Sequence, residues 1–248
     1  MGCLGDADRC ILRRDRGRRM SRDLGGDVPM RVIIFGATGM VGQGVLRECL
    51  VDAGVERVLV VGRSPIGVRN AKLTEIIHDD FTDYSAIDTQ LTGYDACFFC
   101  LGVSSIGMDE ERYRHLTHDI TLAAATTLAR LNPQMTFTYV TGAGTDSTEQ
   151  GSRMWARVKG KTENDLLKLP FKAAYMFRPG AIQPLHGIRS KTAWVQAVYD
   201  VTWPLWSVLR RISPGLVTST EQIGRAMIHV ARVGYPRRVL EMEDINSV

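Results

Sequence analysis

The sequence predicts an α/β fold built on a doubly wound parallel sheet, and three observations carry that reading. The apolar run Val32-Ile33-Ile34-Phe35 passes directly into Gly36-Ala37-Thr38-Gly39-Met40-Val41-Gly42, and that turn opens a segment with Val41, Val45, Leu46 and Leu50 at helical spacing. From Arg31 onward, short apolar runs alternate with helical patterns, which means parallel strands joined by crossover helices on both faces. No internal repeat or low-complexity tract interrupts the alternation.

In chain order, strands are expected at 31–35, 57–61, 73–77, 95–101, 135–140 and 173–177. Helices are expected at 40–53, 109–131, 152–168 and 222–233. The second of these has an apolar stripe through Leu116, Ile120, Ala124, Leu128 and Leu131 and stops at Asn132-Pro133, because proline cannot continue a helix. Right-handed crossovers then give a Rossmann sheet. Residues 1–29 contrast with everything after them. They hold seven arginines, five aspartates and few large apolar side chains, too little apolar surface to offset the entropy of ordering. They are expected to be a disordered or non-native extension ahead of Met30, and their acidic residues argue against a mitochondrial presequence. Residues 30–248 are expected to form one domain, with 181–221 as a small, largely helical insertion on the substrate side.

A buried strand that ends in a glycine turn and leads into a helix N-terminus lets backbone approach a dinucleotide pyrophosphate. Gly36 permits the tight turn, Gly39 lets backbone approach phosphate, and Gly42 allows helix and strand to pack closely, with Thr38, Met40 and Val41 between them. After the second strand the chain reads Val60-Val61-Gly62-Arg63-Ser64, where enzymes for NAD usually carry an acid that accepts from the ribose hydroxyls. Arg63 can instead pair with a 2′-phosphate, which favours NADP over NAD while leaving NAD open. Strand order puts Asp80 and Phe81 at the adenine edge and Leu101 and Gly102 beside the adenosine ribose.

Together with Thr141-Gly142-Ala143-Gly144, Val158-Lys159-Gly160, Glu163 and Phe177-Arg178-Pro179-Gly180, these residues resemble the short-chain dehydrogenase/reductase superfamily. The nearest resemblance is to its atypical branch of NAD(P)-binding, epimerase-like proteins related to the Tat-interacting protein. It extends over about residues 30–245 and implies a Rossmann domain with a small C-terminal substrate region. That family's signature is Tyr-x-x-x-Lys on a helix, the lysine lowering the tyrosine pKa and holding the nicotinamide ribose, with a serine on the preceding strand end. Here the segment reads Trp155-Ala156-Arg157-Val158-Lys159 and the strand end reads Thr141-Gly142. The resemblance implies Lys159 as ribose contact, Thr141 as the hydroxyl that orients a ligand, Trp155 as a pocket wall, and Pro179 and Gly180 beside the nicotinamide carboxamide. Indole N–H only donates and does not exchange a proton near neutral pH. The missing acid would come from elsewhere, Tyr113 or Tyr139 being the tyrosines weighed for it.

Composition sets the remaining bounds. A net charge of +4 over 248 residues gives no case for nucleic acid, and 44% apolar residues suffice for a full core. Five cysteines without a repeated spacing point to free thiols, and Cys97 and Cys100 fall on opposite faces of one strand. His115 and His118 share a helix face without an evident third ligand, so no metal site is expected. Residues 192–212, rich in tryptophan and ending near Arg210 and Arg211, read as a lid over an apolar substrate or as a peripheral membrane or dimer contact. The function expected is an NADP(H)-binding oxidoreductase or epimerase on an apolar or bulky carbonyl or hydroxyl compound. A non-catalytic NADP(H) sensor that passes the cofactor state to a partner is the alternative. A cytoplasmic location is expected.

Overall fold

The computed structural model describes residues 29–188 and 217–248. Seven parallel strands form the central sheet: β1 (Met30–Phe35), β2 (Val55–Gly62), β3 (Leu73–Ile77), β4 (Ala96–Phe99), β5 (Thr136–Val140), β6 (Ala173–Phe177) and β9 (Val239–Leu240). Their order across the sheet is β3-β2-β1-β4-β5-β6-β9. The chain reverses direction of growth between β1 and β4, and an open α/β sheet forms its ligand crevice at that reversal. A short parallel pair, β7 (Ala181–Gln183) with β8 (Val217–Ser219), lies outside the main sheet.

Side chains alternate across each strand, so one sheet feeds two cores. Val32, Ile34, Val58, Val60 and Phe98 pack with α1 (Met40–Val51) and α5 (Thr220–Val233) on one face. Ile33, Phe35, Leu59, Cys97, Phe99 and Phe137 pack on the other, where Ala124, Ala125 and Leu128 of α3 (Ile120–Leu131) cover them. Phe35, Phe81, Tyr84 and Phe99 form an aromatic cluster on that face, with Phe35 and Phe99 ring centres 5.1 Å apart. Cys97 and Cys100 meet opposite cores, as a period of two requires, and both are free thiols.

The first six strands lie where the apolar runs place them, shifted by up to two residues at their ends, whereas β7, β8 and β9 are too short to stand out as apolar runs and are not among the expected strands. The long helix expected over 109–131 is divided. It runs as α2 (Glu110–Arg114), a π-type turn over His115–Asp119 and then α3, with Ile120 N–H reaching back five residues to His115 O. On this turn His118 faces α4 (Met154–Leu166), and its ring nitrogens meet Asp119 at 2.8 Å and Asp165 at 2.9 Å. His115 stays at the exposed end of the same turn. A sequence reading that finds no carboxylate near this histidine pair is therefore corrected: both acids belong to ion pairs, Asp165 with Lys161 and Lys168 and Asp119 with Arg114.

Candidate functional site

At the crevice, β1 ends in Gly36 with φ +78°, a left-handed backbone that side chains disfavour. A Cβ at Gly36 would lie 2.7 Å from backbone atoms of Cys100 and Leu101, and one at Gly42 would lie 2.1 Å from Gly36 O. These two glycines bring three chain segments to contact distance. Gly39 N–H closes the turn on Gly36 O at 2.9 Å, and Gln43 Nε2 holds Thr38 O at 3.2 Å. Helix α1 starts at Gly39 without a side-chain cap and with no acid in its first turn. Its positive end, with the Met40 and Val41 amides, is left available to an anion. Gly102 adds no obstruction, since a Cβ there would meet nothing within 4 Å.

A small cavity of about 90 Å³ continues from this turn, lined by Gly36, Thr38, Gly62, Arg63, Phe81 and Leu101 among others. The structure thus assembles on one side of the crevice the residues expected around an adenosine. Arg63 is exposed at its mouth and, among the described residues, takes part in no ion pair. Asp80 contributes through local structure: its carboxylate accepts from Thr82 N–H at 2.8 Å, and the Thr82 hydrogen bonds hold it below the usual carboxylate range. A larger cavity of about 630 Å³ adjoins it, sharing Ala37, Thr38 and Ser64 and walled by Leu46, Arg47, Leu50, Ile66, Val68 and Ile188.

The other side of the crevice is built from β5, β6 and α4. The ladder continues past the strand ends, Thr141 N–H donating to Phe177 O at 2.8 Å and Ala143 N–H to Pro179 O at 2.9 Å. Trp155 and Lys159, one helical turn apart, share a face of α4 turned to this strand end. A Cβ on Gly144 would touch the Trp155 ring at 3.6 Å, and one on Gly142 would stand 4.0 Å from Lys159 Nζ. Lys159 Nζ donates to Thr141 O at 2.6 Å. Burial pushes its ammonium down to about 8, and the nearby Glu163 carboxylate offsets part of that fall.

Glu163, which the sequence reading quotes beside Lys159 without assigning it a role, is central here. It is 1% exposed, accepts the Thr141 hydroxyl at 2.6 Å and is clamped by the Arg178 guanidinium. Arg178 also reaches Ser147 Oγ at 2.5 Å and Glu241 at 3.1 Å, so Thr141, Glu163 and Arg178 form one buried polar network. The hydroxyl hydrogen of Thr141 is spent on this network. The only advance signal was Glu163 at four residues from Lys159 on the same helix face. Pro179 is buried and Gly180 exposed at the end of β6, with Gly180 close under the Met242 side chain. Neither tyrosine weighed as the acid is presented here. Tyr139 lies fully inside the sheet and Tyr113 is 2% exposed, and burial raises both phenols. Among the described residues one group has metal-ligand spacing, Glu48, His186 and Glu221, with ligand atoms within 4.8 Å of one another. Arg47 and Arg225 already neutralise its carboxylates, a poor setting for a cation. Residues 192–212 lie outside the described residues, and no described helix is long and apolar enough to cross a membrane.

No protein-family profile matches the chain. Among curated proteins it is 26% identical over 206 residues to protein fmp52, mitochondrial, of Emericella nidulans, covering 80% of this chain and 85% of the relative. It is 25% identical over 154 residues to protein HTATIP2 of Rattus norvegicus, covering 61% of this chain and 62% of that one. Among solved structures, the Bordetella bronchiseptica enzyme WbmF, crystallised with NAD+, superposes with a TM-score of 0.63 at 16% identity over 87% of this chain and 73% of its own. These likenesses support the resemblance to the atypical short-chain dehydrogenase/reductases and their HTATIP2-like branch. The chain's fold is the Rossmann-like α/β fold of these solved structures. The expectation of a cytoplasmic location is overturned, because the fungal FMP52 relatives are named as mitochondrial. The acidic residues in 1–29 bear only on a cleavable presequence and say nothing of the compartment in which the folded domain works.

Proposed function

We propose that this chain binds NADP(H) across the β1–α1 turn and acts as an oxidoreductase or epimerase on an apolar or bulky carbonyl or hydroxyl compound, at mitochondria. The observation that carries the cofactor reading is the uncapped N-terminus of α1 beside the small cavity that Arg63 borders. The pyrophosphate would lie against the amides following Gly39, the adenine near Phe81, and the ribose of the reacting ring near Lys159. Pro179 and Gly180 would border the carboxamide, and Trp155 with Thr141 and Lys159 would wall the reacting end. The bound dinucleotide supplies or takes up the hydride, and the chain supplies orientation and a proton.

Calorimetric titration with NADPH and with NADH tests the cofactor reading, and tighter binding of NADPH is the expected outcome. Failure to bind either would sink it. A second reading, a sensor of NADP(H) without catalysis, is favoured by Trp155 at the proton-donor position and by the inward use of the Thr141 hydroxyl. Turnover of NADPH with any carbonyl of a test panel removes that second reading. Fractionation of expressing cells tests the location.

A further inference from the structure

We propose that Lys159 is itself the proton donor of this site, its Nζ standing over the side-chain-free strand end at Gly142 and delivering a proton to the oxygen of a carbonyl substrate. The proposal rests on the reading that the site takes NADPH.

Five observations support it. The ammonium carries three N–H groups and, among the described residues, one is engaged, on Thr141 O at 2.6 Å. No carboxylate among the described residues forms an ion pair with it: Glu163, the acid beside it on α4, is taken by Arg178, which Glu241 holds from the far side. Gly142 and Gly144 put no side chain between the strand end and the Lys159 and Trp155 side chains, where a Cβ would meet Lys159 Nζ at 4.0 Å and the Trp155 ring at 3.6 Å, in ordinary contact. Tyr113 and Tyr139 are buried away from that space. Burial brings the amine down to about 8, close to the working range of a general acid at neutral pH. In the reducing direction the carbonyl carbon accepts the hydride of the reduced dinucleotide. The π pair of the C=O bond then becomes the new O–H bond with a proton from Nζ, and the neutral amine regains a proton from water.

Competitive acetylation of the full chain across a pH series, read by peptide mass spectrometry, gives the Lys159 midpoint without any substrate. It is expected near 8. A midpoint in the ordinary range of exposed lysines, about 10.4, overturns the proposal. Lys159→Arg keeps the charge and a donor for Thr141 O but does not release a proton at neutral pH. At saturating NADPH it is expected to lose carbonyl reduction by about 100-fold or more. In the parent, reduction is expected to be level below the Lys159 midpoint and to fall above it, as the protonated acid is depleted. An arginine variant with the parental rate and pH profile shows that Lys159 only holds the ribose, and overturns the proposal. A parent that binds no NADPH fails the cofactor reading instead, so the two failures are distinguishable.

Discussion

The two sides of the crevice are made of different material. The side formed by β1, β2 and α1 is backbone: a left-handed Gly36, a crossing at Gly42 and an uncapped helix end. The side formed by β5, β6 and α4 is side chains: Lys159 on Thr141 O, and Thr141, Glu163 and Arg178 joined in one buried network. Backbone recognition of a dinucleotide tolerates little change, because each contact is a fixed amide or an absent Cβ. A side-chain site can be rewired. Here Trp155 stands one helical turn before Lys159, and the strand-end hydroxyl serves the protein's own carboxylate. The contrast shows how one fold can hold its backbone turn fixed while the side chains across the crevice vary.

Three substitutions probe that contrast, beginning with the largest effect. Gly42→Ala places a methyl group 2.1 Å from Gly36 O, backbone against backbone, with no side chain free to yield. The turn must open, and the expected result is loss of measurable NADPH binding in calorimetry together with a lowered melting temperature; an alanine variant that binds normally breaks the backbone account. Arg178→Ala leaves Glu163 as an uncompensated buried carboxylate, and urea unfolding should show a loss of about 3–5 kcal/mol. Much of that loss should return below pH 4–5, where about half or more of an ordinary carboxylate is protonated, since neutralising the stranded acid removes the penalty. A loss of that size unaffected by acid would mean the network acts through packing alone. Arg63→Glu is the mildest. It leaves the fold intact and is expected to shift the NADPH-to-NADH affinity ratio toward NADH by about 10-fold or more, the worth of one charge-assisted hydrogen bond. An unchanged ratio removes Arg63 from cofactor selection.

The legibility of the two sides differs for the same reason. The glycine turn, Arg63 and the strand alternation are local patterns, and local patterns survive in a linear string. The π-type turn was not legible, because five residues over His115–Asp119 continue a helical apolar spacing until His118 finds Asp165 on another helix. Glu163 looked like an ordinary helical acid at four residues from Lys159, and its meaning depends on Arg178, fifteen residues away on a strand end. The location followed the charge content of an N-terminal stretch and was overturned by the relatives, because compartment is not a property of the fold.

The sequence by itself determined the first six strands and the glycine turn, since periodicity and glycine placement act within a few residues. Only the tertiary structure decided which polar groups face a ligand and which face each other. A buried carboxylate must be satisfied, and the groups that satisfy Glu163 come from the end of β5 and the end of β6, brought together only when the sheet closes over α4.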